Sequence, residues 1–138
     1  MPQKKDISHV TRLFPGEDLK ISIEGFLKKN NIEAGWIVTC VGSLTEYSIR
    51  FANQAKPSRG SGYFEITSLV GTLSCNGSHL HIAVADRDGK TIGGHLMEGC
   101  KIYTTAEIIL VESPIYIFSR EKDGTSPWKE LEIIKRNK

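Results

Sequence analysis

The stretch GSHLHIAVADRDGKTIGGHL, residues 77–96, reads as two runs of alternating side chains around one turn. Successive side chains in a strand point to opposite faces, so His79 and His81 share one face while Leu80 and Ile82 share the other. Asp86-Arg-Asp-Gly89 suits a three-residue hairpin loop, a type I turn completed by Gly89 in the left-handed conformation. With Arg87, Asp88 and Gly89 as the loop, Asp86 pairs with Lys90. Counting back then sets His81 opposite His95, on the face that also carries His79. Opposed residues hold their β-carbons about 4.5–5.5 Å apart, close enough for imidazoles to converge on one ion. Two alternatives stay open. A two-residue loop would slip the register by one and turn His95 to the other face, and a bulge at Gly93-Gly94 would also change it.

Strand character continues outward from this hairpin. Upstream, Trp36–Val41, Thr45–Phe51 and Phe64–Leu73 are rich in β-branched and aromatic residues. Gly42-Ser43 is expected to interrupt the first two, Lys56–Gly62 to form a loop and Asn76-Gly77 to break the third. Downstream, Tyr103–Val111, Ile115–Phe118 and Leu131–Ile134 read as strands. One helix is expected: Glu17 and Asp18 are suited to its N-terminus. Leu19, Ile23, Phe26 and Leu27 form its apolar stripe, Asn30-Asn31 ends it, and Lys20, Glu24 and Lys28 fall on a solvated face. His9–Phe14 is a first strand, stopped by Pro15-Gly16. The expected architecture is α+β, a largely antiparallel sheet with one main amphipathic helix in a single domain over residues 9–134. Residues 1–8 are expected to be a flexible N-terminus and residues 135–138 a basic C-terminal end.

Length and composition exclude several classes. A chain of 138 residues leaves little room for a second domain and can bury roughly two thirds of its unfolded surface, so it needs no disulfide staples. Hydrophobic residues at 39% and charged ones at 25% describe an ordinary globule. The net charge of +2 and pI near 8.4 do not suit a dedicated duplex-binding domain. Cys40, Cys75 and Cys100 form no C-x-x-C pair, which excludes a zinc ribbon and a thioredoxin-like motif. An odd thiol count, no secretory signal and no long apolar run point to a cytoplasmic protein without a membrane span.

Taken singly, each histidine is a polar residue on a sheet face. Together, three neutral imidazoles with one vacant position make the pattern of a catalytic or ligand-accepting zinc site, since structural zinc is normally closed by four protein ligands. Imidazole also suits Fe, Ni, Cu and Co, so zinc leads on prevalence. Cys75 is the remaining candidate for a fourth ligand, though Asn76-Gly77 separates it from the histidines.

Several ordered motifs add a resemblance. Residues 77–86, then 88–99, then Thr104-Thr-Ala-Glu107 resemble the plant-and-prokaryote-conserved (PPC) domain. Arg12–Leu19, Gly42-Ser43, Ser48-Ile-Arg50 and Tyr63–Gly71 match the same family in order, so the resemblance covers about residues 9 to 133. It implies a compact α+β fold assembled as a homotrimer, with a metal usually taken as zinc on His79, His81 and His95. In plants the same domain follows AT-hook segments that contact DNA, and the domain itself mediates protein association. Bacterial members carry a DNA-binding label on that basis, whereas this sequence contains no Arg-Gly-Arg-Pro hook. The fold also resembles that of acetolactate decarboxylase, which has a glutamate and an arginine beside a three-histidine zinc. By that analogy Arg50, Glu65 and Glu107 are candidates for charged neighbours of the metal. An arginine could grip a carboxylate, and a glutamate could orient an imidazole or move a proton. Surface or intersubunit ion pairs are the competing roles for all three.

Two functions from different classes follow. One is a trimeric metal-binding association or regulatory module, with DNA as a conceivable partner through Lys4-Lys5 or Lys135–Lys138. The other is a small metalloenzyme acting on a carbonyl or carboxylate compound, with a small-molecule ligand at the open metal position. A purely structural trimer with a vestigial site is a third reading. Trp36, Tyr47, Phe51, Tyr63, Phe64, Tyr103, Tyr116, Phe118 and Trp128 are many large side chains for one helix to cover, which favours oligomerisation.

Overall fold

The computed structural model describes residues 4–137. Strand β1 (Ile7–Leu13) leads into α1 (Leu19–Lys29), followed by β2 (Ala34–Arg50), β3 (Ser58–Ser74), β4 (Gly77–Ala85) and β5 (Thr91–Leu96). Then come β6 (Lys101–Glu112), β7 (Tyr116–Glu121) and β8 (Glu130–Lys135). The architecture is α+β as expected, with one helix among the described residues and antiparallel pairing throughout. Six strands lie in the order β1-β6-β2-β3-β4-β5. The last of them returns to the end of β2 through Ile49↔Leu96 and Arg50↔His95, so β2 to β5 close on themselves at that end. The β7–β8 hairpin is a separate two-stranded ribbon. It is tied down where the Cys75 N–H donates to the Phe118 carbonyl and the Phe118 N–H to the Glu33 carbonyl, at 3.1 and 2.9 Å.

The core decides which face the histidines take. Leu19, Ile23 and Leu27 bury the helix stripe against Leu44, Ile49, Leu73, Leu80, Val84, Leu96, Ile108 and Leu110. Each such side chain stabilises the fold by roughly 1.5–3 kcal/mol relative to leaving it exposed. With Leu80, Ile82 and Val84 inward on β4, His79 and His81 are forced outward. The helix starts where the Asp18 side chain accepts the Ile21 N–H at 3.0 Å, and its other oxygen takes the Gly99 N–H at 2.7 Å. Lys20 and Glu24 depart from the expected solvated face. Lys20 Nζ bonds Glu24 at 2.8 Å and the Ser78 hydroxyl donates to the same carboxylate at 2.8 Å, latching α1 to β4 beside His79.

Two expected interruptions are strand instead. β2 stays strand through Gly42-Ser43, with a register shift against β6 between Gly42 and Leu44; a β-carbon on Gly42 would lie 2.2 Å from the Thr105 carbonyl oxygen, so the glycine lets β6 approach. β3 begins at Ser58, inside the stretch read as a loop, and Gly60 makes room for the Tyr47 ring. In both places the glycine marks close approach rather than a turn. β1 starts at Ile7, within the segment expected to be flexible, while residues 1–3 lie outside the described residues. Of the basic end, Lys135 closes β8 and Lys138 lies outside the described residues. Among the described residues no helix is long and apolar enough to cross a membrane.

Candidate metal centre

The turn that sets the histidine register forms as expected. The Asp86 N–H donates to the Lys90 carbonyl and the Gly89 N–H to the Asp86 carbonyl, both at 2.9 Å, with Gly89 at φ +79°. The Asp86 carboxylate also takes the N–H groups of Asp88 and Lys90, each at 2.9 Å. From this loop the pairing runs without a shift through Ala83↔Gly93 and Ile82↔Gly94 to His81↔His95. Neither open alternative, the two-residue loop or the glycine bulge, occurs. Ring centroids lie 5.0 Å apart for His79–His81, 5.3 Å for His79–His95 and 5.9 Å for His81–His95. One ligand atom from each falls within 4.8 Å of the others. A tetrahedral zinc ion about 2.0–2.1 Å from each nitrogen would hold them roughly 3.4 Å apart, within reach of side-chain rotation.

The electrostatics favour the ligating form of imidazole. Burial, and next the Arg50 charge, push His95 down to about 4 from the usual 6.5. Burial, then Arg120, and then the neighbouring His81 lower His79. A neutral ring offers a free lone pair, so little proton release opposes a cation arriving at neutral pH. Gly94 supports His95 from the other side of the strand. A β-carbon there would lie 2.5 Å from the Arg50 carbonyl oxygen, so glycine is what lets β5 seat against the end of β2.

The charged candidates divide. Arg50 is brought to the site: it pairs with His95, lies 4.7 Å over the Trp128 ring, and lines a cavity of about 520 Å³ together with His79 and His95. Glu65 is not. It is exposed, paired with Ala85, about 13 Å along β4 from His81 by strand rise. Glu107 stands exposed on β6 between Arg12 and Val41; only β2 separates β6 from β5, but Val41 lies far along β2 from Arg50, the partner of His95. Cys75 is exposed beside the β3–β4 turn and is not among the converging ligand atoms. Cys40 and Cys100 are buried thiols, raised by that burial to about 12 and about 11. His9 bonds Glu112 at 2.8 Å on the β1–β6 pair and plays no part in the cluster.

The strands expected at Ile115–Phe118 and Leu131–Ile134 form as β7 and β8, but sequence reasoning missed their place at the site, where the hairpin covers one side of this cavity with Arg120, Trp128 and Glu130. Arg120 is 8% exposed, and its Nη2 donates to the Thr72 hydroxyl at 2.6 Å. The one local hint is an arginine closing the aromatic and aliphatic run Tyr116-Ile-Phe-Ser-Arg120.

A small antiparallel α+β domain with three outward imidazoles on one hairpin defines a class of metal-competent domains. Residues 2–114 match the model of the Plants and Prokaryotes Conserved (PCC) domain, and the chain belongs to that family. It is 47% identical over 124 residues to the bifunctional protein GlmU of Synechococcus sp. (strain JA-3-3Ab), covering 90% of this chain and 20% of that one. The chain thus spans about a fifth of the length of the curated relatives it matches. A hypothetical protein from Salmonella cholerae-suis superposes with a TM-score of 0.93 at 38% identity, covering 99% of both chains. A metal-containing protein from Archaeoglobus fulgidus shares the fold at a TM-score of 0.77 and 24% identity, covering 90% of this chain and 91% of that one.

Proposed function

We propose that this protein is a homotrimeric metal-binding module whose His79, His81 and His95 hold a divalent cation, zinc foremost, with one position left for a ligand. The observation that carries the reading is the convergence of three imidazole nitrogens within 4.8 Å on one rigid hairpin. The description of the Archaeoglobus neighbour as metal-containing supports it. A cation held there supplies a Lewis-acid position that can polarise a carbonyl oxygen. The chain's own part is to aim the rings, keep them neutral and set Arg50 beside them.

Assembly is supported by the sheet face away from the helix. Val38 and Val41 on β2, Tyr63 and Val70 on β3 and Tyr103 on β6 are between 43% and 65% exposed on three neighbouring strands. The Tyr63 and Tyr103 rings meet at 4.9 Å. Apolar side chains gathered this way fit burial between copies. Light scattering tests it, and a monomeric mass would overturn it.

Metal analysis of purified native protein, with His81→Ala as control, tests the centre. About one ion per chain in the wild type and almost none in the variant is expected. Equal, negligible metal in both would overturn the reading. A second reading, catalysis on a small carbonyl or carboxylate compound, is favoured by the cation-lined cavity at the open position. Contact with DNA is tested separately by binding across a salt series, since phosphate contacts weaken steeply with salt.

A further inference from the structure

The cavity beside the histidines contains a buried arginine without a direct ion pair, the Glu130 carboxylate acting on it only at longer range. Arg120 forms no ion pair among the described residues, and its Nε has no hydrogen-bond partner. Removing a charge from water without an opposite charge is costly, so the surrounding structure must hold it in place. The Asn76 side chain does so, accepting the Arg120 N–H at 2.7 Å and donating to its carbonyl at 3.0 Å. Thr72, which bonds the guanidinium, is the direct cross-strand partner of His79.

Among the described residues Arg50 is also without an ion pair, resting on Trp128 and bonding the Gln54 carbonyl at 3.4 Å. The other charges lining the cavity are partly spent on each other. Lys20 and Glu24 offset each other, while Glu130, which also accepts from the Ser126 hydroxyl, is one carboxylate against Arg50, Arg120 and the exposed Lys129. The surplus is therefore cationic and sits against the histidines. Arg120 and Trp128 lie past residue 114, where the family match ends, so the matched segment does not by itself specify this arrangement.

We propose that this cavity is a subsite for a small carboxylate bearing an adjacent oxygen donor, its carboxylate held by Arg120 and Arg50 and its second oxygen directed to the cation on the three histidines. The inference rests on the metal reading above and adds the ligand class to it. A guanidinium presents planar paired donors that match a carboxylate, while the open metal position takes an oxygen. Two different anchors side by side select a 2-oxo or 2-hydroxy acid over a simple monocarboxylate. A volume of about 520 Å³ accommodates an acid of a few carbons.

Cobalt-substituted protein gives a readout independent of turnover. Loading with Co²⁺ is expected to produce a visible absorption that His81→Ala abolishes. Pyruvate should shift that spectrum saturably, and acetate far less. Arg120→Gln should bind pyruvate roughly tenfold or more weakly, the loss of a charge-assisted hydrogen bond, with its cobalt spectrum retained. Arg50→Gln should weaken it in the same direction and is the variant to read if Arg120→Gln fails to fold. A cobalt spectrum indifferent to pyruvate, or an undiminished response in the folded arginine variants, overturns the subsite and leaves the metal centre standing. A stronger response to inorganic phosphate than to pyruvate overturns the carboxylate assignment. Absence of any cobalt spectrum overturns the metal reading and the metal half of the subsite together. The arginine half then stands if pyruvate quenches Trp128 fluorescence in the metal-free protein, and falls if it does not.

Discussion

Two hairpins meet at the histidines, and they are encoded in different ways. The β4–β5 hairpin is specified by neighbours in sequence: Asp86 closes its own loop with four hydrogen bonds to main-chain groups, and the period of two does the rest. The β7–β8 hairpin is positioned by residues far away, through Phe118 on Glu33 and Cys75 and through Asn76 on Arg120. The first supplies the candidate ligands and the second the cation beside them. Local rules place the donor atoms, while long-range hydrogen bonds decide the charge they face.

The largest effect expected from breaking the first hairpin is on metal content. His95→Ala should drop it from about one ion per chain to under roughly a tenth, since two imidazoles hold zinc far less well than three. Its circular dichroism should stay that of the wild type, because His95 faces away from the core. Full metal content in this variant, read by elemental mass spectrometry, would detach the hairpin from the site. Gly94→Ala comes next. Its β-carbon would press on the Arg50 carbonyl, so β5 must shift, at about 1–3 kcal/mol in urea unfolding, with weakened metal affinity.

That contrast also explains what was legible in the sequence. Register at His81↔His95 could be read because loop and alternation are contiguous. The helix was legible for the same reason, from Leu19, Ile23 and Leu27 at one spacing and Asp18 before them. Gly42 and Gly60 were misread as interruptions because their reasons, the Thr105 carbonyl and the Tyr47 ring, lie on other parts of the chain. Sequence favours Arg50 over Glu65 and Glu107 as a neighbour of the metal, but only the strand pairing sets the two glutamates apart from the histidines. Arg120 has only one local hint, its place at the end of the run from Tyr116, because the residues that bring it to the cavity, Thr72 and Asn76, lie far away in the chain.

Breaking the second hairpin should leave the metal alone. Asn76→Ala removes both bonds to the Arg120 main chain and should cost about 1–2 kcal/mol of stability with metal content unchanged. Loss of metal in that variant would show the two hairpins to be one unit.

The smallest expected effect is on pH dependence. His95 titrates at about 4 in the folded chain against 6.5 as its ordinary value, so between these the unfolded chain binds a proton the folded one refuses. The metal-free protein therefore has this contribution in full above 6.5 and loses it as pH falls through about 4. His79 acts in the same direction. Urea midpoints followed from neutral pH downward should decline, and less steeply in His95→Ala. An equal decline in both would show that the histidine environment is not what the fold implies.

X-ray absorption at the metal edge of native protein tests the central claim most directly. The account predicts three imidazole nitrogens at about 2.0–2.1 Å with one further light-atom position and no sulfur. A sulfur-containing shell, or no bound metal, would contradict it.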